Sequence, residues 1–448
     1  MPLTLADARA RIADLLPELR SDLEALVRIE SVSADPARLD EVEKSAELVR
    51  SLFEAEGCAA RIVRHGADGP PAVIARKEGP AGAPTVLLYA HHDVQPENDH
   101  ADWATPPFEP TERGDRLFAR GAADDKAGVI AHLAALRAFG DDLPVTVVAF
   151  IEGEEEVGSV TLSALLQEHK DELAADVIVI SDSGNWDIGA PALTTSLRGL
   201  VRVDVEVRTL AHAVHSGMWG GLAPDALMAL VRLLDSLYAA DGSLAIEGLH
   251  AGPAADVVYP EDRLRAESGA LPGTQWIGQG SAVERLWTQP SLTITGIDAP
   301  KVDGASNTLT PAARAKLALR TAPGDTSANA AQRLRDHLLA HAPWGAEVTV
   351  TLVDAGEATQ IDATGPAYEA ARQAFKDAWD GTEPVDMGVG GSIPFIAEFL
   401  ESFPAASVLV TGVEDPDTRA HGPNEGLHLP EYERVLVAEV LMLANLGA

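Results

Sequence analysis

Three runs in this chain are dominated by consecutive apolar residues: residues 84–90 (PTVLLYA), 144–151 (PVTVVAFI) and 175–181 (ADVIVIS). Runs this rich in Val, Leu and Ile, lacking the alternation of a half-exposed strand, read as strands buried on both faces. A helical pattern over 124–139 lies between the first two. Buried strands alternating with helices predict an α/β fold, a mostly parallel sheet covered by helices. Two helices with apolar spacing of three and four precede it, at about 5–27 and 39–56, and shorter strands read at 59–63 and 72–75.

The texture changes after Asp182. Residues 199–207, 291–297, 313–321 and 347–353 alternate with period two, as strands with one solvated face do, and helices read at 224–237 and 328–341. This predicts a separate α+β unit. Residues 241–289, rich in Gly, Pro and Ala, yield no assignment. From about residue 365 the buried texture returns, with a strand at 406–411 and a helix at 430–446.

Composition excludes several functions. The 448 residues carry a formal charge of −35, which repels phosphates and anionic lipid and argues against nucleic-acid and membrane-surface partners. The single cysteine, Cys58, rules out an internal disulfide and Cys-rich zinc modules. The first residues show no basic segment followed by an apolar one, and the best apolar stretch, 435–446, is short and interrupted by Glu439. The expected location is cytoplasmic.

The residues after each buried strand are unusual. His91, His92 and Asp93 follow the first, Glu152 to Glu156 with one intervening Gly follow the second, and Asp182 follows the third. Asp124 and Asp125 open the intervening helix. Singly, each has an ordinary explanation: a helix cap, a solvated turn, a structural histidine. Together they converge, because ligands of open α/β sheets bind at the carboxyl ends of the strands. Carboxylates crowded into one crevice repel unless cations neutralise them, and carboxylate with imidazole suits zinc or manganese. No H-E-x-x-H, G-x-S-x-G or Walker A pattern is present.

Seven motifs occur in order: Y-A-H-H-D-V-Q-P (89–96), R-G-A-A-D-D-K (120–126), E-G-E-E-E-V-G-S (152–159), S-D (181–182), H-S-G (215–217), G-G-S-I-P (390–394) and A-H-G-P-N-E (420–425). From about residue 10 to the end, the chain resembles the di-metal exopeptidases that include carnosinase, cytosolic non-specific dipeptidase, glutamate carboxypeptidase and aminoacylase. The dipeptidase branch is the most similar. The resemblance implies that His91, Asp124, Glu156, Asp182 and His421 hold two divalent ions per subunit, zinc as first choice and manganese as second. Asp124 bridges them, His91 and Asp182 share one ion, and His421 is the terminal ligand of the other. Asp93 orients His91, Glu155 is the general base, and Glu154 is a bystander. The Asp124–Asp125 peptide bond is expected to be cis. Asp182, where other branches tend to carry Glu, favours a dipeptidase.

The 239-residue interval between Asp182 and His421 implies an inserted lid. The expected division is a catalytic domain over 1–197 and 361–448, with an α+β lid and dimerisation domain over 198–360. The resemblance implies that His215, in that lid, acts in trans across a homodimer to stabilise an oxyanion. It also implies that Asn307, Arg320 and Ser392 bind substrate, Arg320 through the free carboxylate that its fork suits. Position 388 departs from the dipeptidase pattern: Gly388-Val389 stands where R-E is common. The implied reaction is hydrolysis of dipeptides or short peptides by a metal-activated water, with Glu155 as base. The alternatives are an N-acyl- or N-carbamoyl-amino-acid amidohydrolase on the same site and a non-catalytic metal-binding dimer.

Overall fold

The computed structural model describes residues 3–67, 69–252, 257–391 and 394–448. Ser392 therefore lies outside the described residues. The chain forms two compact units. The first takes Met1–Thr195, Ile361–Met387 and Pro394–Ala448, and the second takes Ser196–Gln360 with a short segment beginning at Gly388.

The first unit is built on the predicted buried strands. Its sheet runs in the order Ala59–Val63, Ala72–Lys77, Thr146–Glu152, Thr85–His91, Val177–Ser181, Ser407–Thr411, Ala192–Leu197. The four strands from Thr146–Glu152 to Ser407–Thr411 are mutually parallel, and the strands outside them pair antiparallel. Every residue of Thr146–Glu152 and Val177–Ser181 is buried, which accounts for their mostly apolar sequence. No apolar run announces Ala192–Leu197, where Thr194, Thr195 and Ser196 interrupt the pattern.

Chain order reverses about the Thr85–His91 strand. The chain leaves it for Thr146–Glu152 on one side, then crosses to Val177–Ser181 on the other. Right-handed crossovers in opposite directions put their helices on opposite faces and open a crevice at the carboxyl ends of the central strands. Leu5–Val27, Lys126–Phe139 and Leu429–Leu446 pack on one another. Tyr89 stacks on Phe395 of Pro394–Ser402 at 4.6 Å. Among the described residues, no helix is long and apolar enough to cross a membrane.

The second unit is an antiparallel four-stranded sheet ordered Ser291–Asp298, Ala312–Thr321, Gly199–Arg208, Glu347–Gly356. Val201, Val203, Val205, Val207, Leu317 and Leu319 face one side, where helices Ala226–Asp235 and Ser327–Ala340 cover them with Leu230, Leu233, Leu334 and Leu338. Each such side chain contributes about 1.5–3 kcal/mol on full burial, enough to pin the strand register. The alternate residues, Arg202, Asp204 and Glu206 among them, remain on the other face. Within 241–289 the chain forms a helix, Glu261–Ser268, with no buried residue. Its lack of an apolar stripe explains why no periodicity marks it.

Candidate metal centre

The parallel register sets the ends of three strands side by side. His91 pairs with Glu152, and Tyr89 with Ile180, so the chain leaves each strand at the same edge carrying His91, Glu155–Glu156 and Asp182. Asp124 arrives from the loop before Lys126–Phe139. The helix begins at Lys126, two residues later than the sequence pattern suggests. Asp125 makes no capping bond; its Oδ2 accepts the His91 N–H at 3.2 Å. The Asp124–Asp125 bond is cis, as expected. The helix approaches the strand ends closely at Gly128, where a Cβ would stand 2.6 Å from the Ser181 carbonyl oxygen.

Two groups of potential ligands result: His91, Asp124 and Asp182, and Asp124, Glu156 and His421, with ligand atoms in each group within 4.8 Å of one another. Asp124 belongs to both and divides its oxygens between them. Oδ1 lies 3.2 Å from His91 Nε2, and Oδ2 lies 3.1 Å from His421 Nε2. His421 Nε2 is 3.3 Å from Glu156 Oε2, and His91 Nε2 is 3.9 Å from Asp182 Oδ1. His91 is fully buried while the His421 side chain is 60% exposed, so access is from the His421 side. The loop bearing His421 has left-handed backbone at Arg419, His421 and Asn424, a conformation that non-glycine residues adopt sparingly and that concentrates at functional sites.

Surrounding groups hold these side chains. His91 Nδ1 lies 3.1 Å from the Asp93 carbonyl oxygen and 3.4 Å from its Oδ1, which directs Nε2 at Asp124. The Asp93 carboxylate also accepts the backbone N–H groups of Glu155 and Glu156, both at 3.2 Å, tying two strand ends together. Gln95 donates from its backbone N–H to Glu156 Oε1 at 3.0 Å and from Nε2 to Oε2 at 2.7 Å. Glu425 accepts from the backbone of Gly121, Ala123 and Asp124. Glu154 bonds Thr161 through both the backbone N–H and the hydroxyl, and so serves the next turn. Buried His92 contacts the Pro71 carbonyl oxygen at 3.1 Å, and burial pushes its pKa down to about 4, so it stays neutral.

The electrostatics of these crowded carboxylates suit a cation site. Burial, reinforced by Asp124, pushes Glu156 up to about 9. Burial, with Asp124 adding to it against the pull of His91, raises Asp182 to about 6. Glu155 is driven well above the usual carboxylate range by burial and by Asp182. Glu414 is raised likewise by burial, Asp124 and Asp182. His91 goes up despite burial, because Asp124 and Asp93 hydrogen-bond it. Carboxylates this close oppose one another's ionisation, and bound cations relieve that repulsion. Two divalent ions fit the donor set: oxygen and imidazole nitrogen, no thiol, one carboxylate positioned to be shared. Cys58 is buried, and burial raises its pKa to about 11, which makes it a poor nucleophile.

His215, Asn307 and Arg320 belong to the second unit. His215 pairs with Thr308, and the Ser216 N–H donates to the Asn307 carbonyl oxygen at 2.9 Å, so the His215 and Asn307 segments are neighbours. Both residues are exposed. Arg320 lies on Ala312–Thr321 and is half-buried. Gln95 and Glu425 stand inside recognised motifs yet had no assigned role. Glu414, three residues beyond the Ser407–Thr411 strand, is the fourth acidic residue at a parallel strand end; the strand-end rule applied to 406–411 would have found it.

An α/β unit that gathers two carboxylate–imidazole groups about one shared aspartate is the frame of a metal-dependent hydrolase. The chain matches the peptidase family M20/M25/M40 over residues 87–445, and it belongs to that family of metallopeptidases. It is 36% identical over 435 residues to the cysteinylglycine-S-conjugate dipeptidase of Corynebacterium striatum, covering 95% of each chain. Among solved structures it is similar to the dipeptidase Dug1p of Saccharomyces cerevisiae, with a TM-score of 0.80 at 24% identity over 100% of this chain and 99% of that one. Human carnosine dipeptidase 1 gives a TM-score of 0.75 at 26% identity, over 99% of this chain and 100% of that one.

Proposed function

We propose that this protein hydrolyses dipeptides or short peptides bearing a free carboxylate. The observation that carries the reading is the pair of ligand groups sharing Asp124, each oxygen facing a different histidine. Its relatives' activities point the same way. The ligands are His91, Asp124, Asp182, Glu156 and His421. The chemistry two divalent cations supply when bound is polarisation of the scissile carbonyl and acidification of the attacking water. Zinc is the first choice and manganese the second.

Glu155 acts as the general base. It stands outside both ligand groups and directly before the ligand Glu156 in the chain, free to take up a proton rather than hold a cation. It receives the proton of the attacking water and delivers it to the leaving amine as the C–N bond breaks. Asp93 fixes the His91 ring and the Glu155–Glu156 backbone, holding base and ligands in one frame. Residues 198–360 form the lid, in which Asn307 and Arg320 bind substrate, with Ser392 from outside that range joining them. The protein works as a homodimer in which His215 of one subunit stabilises the oxyanion at the partner's site. Exposure of Met218 at 76% and Leu222 at 81% beside His215 supports an interface there. A cytoplasmic location fits the single buried cysteine.

The test is turnover of a dipeptide panel and the matched N-acetyl amino acids by chelator-stripped protein, with zinc or manganese restored. Metal-dependent release of amino acids from dipeptides is the expected result. Preferential cleavage of the acyl compounds would move the protein to the amidohydrolases. Glu155→Gln should lower kcat by at least about a hundredfold while both ions still bind, since general acid–base catalysis contributes about 10²–10⁴. Full activity with metal bound would remove Glu155 from that role.

A further inference from the structure

In a chain of net charge −35, one end of the open face of the second unit's sheet carries three neighbouring guanidinium groups, those of Arg198, Arg202 and Arg320. Arg320 is in register with Ser291 on one side and Leu200 on the other, and Arg202 with Ala318. Arg198 stands just before the Gly199–Arg208 strand and is 8% exposed. Arg202 has an acidic neighbour, Asp354, at 3.3 Å. Arg198 has none. Its Nη1 donates to Ser291 Oγ at 2.9 Å and to the Arg285 carbonyl oxygen at 3.4 Å, and its Nε to the Gly390 carbonyl oxygen at 3.2 Å. All three acceptors are neutral. Nη2 meets no acceptor among the described residues. It lies against Gly390, where a Cβ would stand 2.9 Å away.

Ser291 connects the two arginines, since directly opposed residues of an antiparallel pair share a face. Arg198 is bonded to the serine that sits across from Arg320. The two cations feel each other: burial first, and Arg320 second, push Arg198 down to about 10. A buried guanidinium with only neutral acceptors and a second cation beside it is costly unless an anion completes it. The fork of a guanidinium matches a carboxylate.

We propose that Arg198 is a specificity-determining residue that joins Arg320 in binding the free carboxylate of the substrate, using the donors of Nη2 beside Gly390. The proposal rests on the peptidase reading above and adds to it a second cation that no motif marked. Gly390 is then glycine because a side chain would displace the Arg198 fork.

The experiment compares metal-loaded wild type, Arg198→Lys and Gly390→Ala on alanyl-alanine and its C-terminal amide. Loss of a charge-assisted bond to the carboxylate should raise KM for the acid about tenfold or more in both variants. In both, kcat should stay within about twofold and kcat/KM for the amide should be unchanged. An equal loss on acid and amide, or an unchanged KM for the acid, overturns the proposal. Binding of the reduced-amide analogue of the same dipeptide, as acid and as amide, is measured in parallel by calorimetry. If wild type cleaves neither substrate, the peptidase reading fails. Arg198 is then judged on binding alone: weakening of the acid analogue only, in Arg198→Lys, sustains it, and equal binding by wild type and variant removes it.

Discussion

Replacing Glu425 tests whether Asp124 is held by a buried carboxylate. Glu425 is fully buried, and both of its oxygens are engaged. Oε1 accepts the N–H groups of Ala123 at 2.9 Å and Asp124 at 3.1 Å; Oε2 accepts the Gly121 N–H at 3.0 Å and Arg120 Nη1 at 2.7 Å. Arg120 is itself 1% exposed. Glu425→Gln preserves the volume but removes the charge and turns one oxygen into a donor facing donors. Breaking a buried ion pair from one side costs about 3–5 kcal/mol. A backbone N–H left without an acceptor adds about 1–3 kcal/mol, in part the same penalty. The expected loss is therefore about 4 kcal/mol or more, a large share of the roughly 5–15 kcal/mol that stabilises a domain. Because the displaced loop delivers the shared ligand, affinity for both ions should fall about 10–100-fold. Urea unfolding with and without metal measures the first quantity, and competition with a chromophoric chelator the second. A loss below about 1 kcal/mol together with unchanged metal affinity would refute the reasoning.

Two further outcomes follow from the titrating groups. In chelator-stripped protein the folded-state pKa values of Asp182, about 6, and Glu156, about 9, lie above their usual values. The folded state then binds more protons, so stability is greatest below about pH 4 for these groups and declines as pH rises through 6 and 9, a slope that zinc or manganese should remove; thermal melts at pH 5 and pH 9 measure it. Glu97 behaves oppositely. Although burial raises it, its bonds to Arg38 hold it down at about 2. Its contribution is present above about pH 4.5 and is lost as pH falls towards 2, so Glu97→Gln should lower stability at pH 7 and flatten the acid limb of unfolding between those values.

The order of strands and helices was readable because burial on both faces leaves an unmistakable apolar run, and burial on one face leaves an alternation. Residues 84–90, 144–151 and 199–207 show the two cases, and the strands end within one or two residues of those runs. The centre was readable for a related reason. Chemistry at a parallel sheet gathers at strand ends, so His91, Glu155, Glu156 and Asp182 stand directly after the patterns that announce the strands. His421, ten residues beyond its strand, was legible only through family resemblance.

What the sequence determined by itself, then, was the elements with an apolar run or an alternation and the ligand types, since both depend on local pattern; Ala192–Leu197 and Glu261–Ser268 carry neither mark. Which oxygen of Asp124 faces which histidine, that Glu425 gathers three backbone donors across about 300 residues of chain, and that Arg198 reaches Ser291 and Gly390 were decided only by the tertiary structure. These are contacts between segments distant in sequence. They depend on strand register and loop path, and a polar side chain carries no local mark of the partner it will meet.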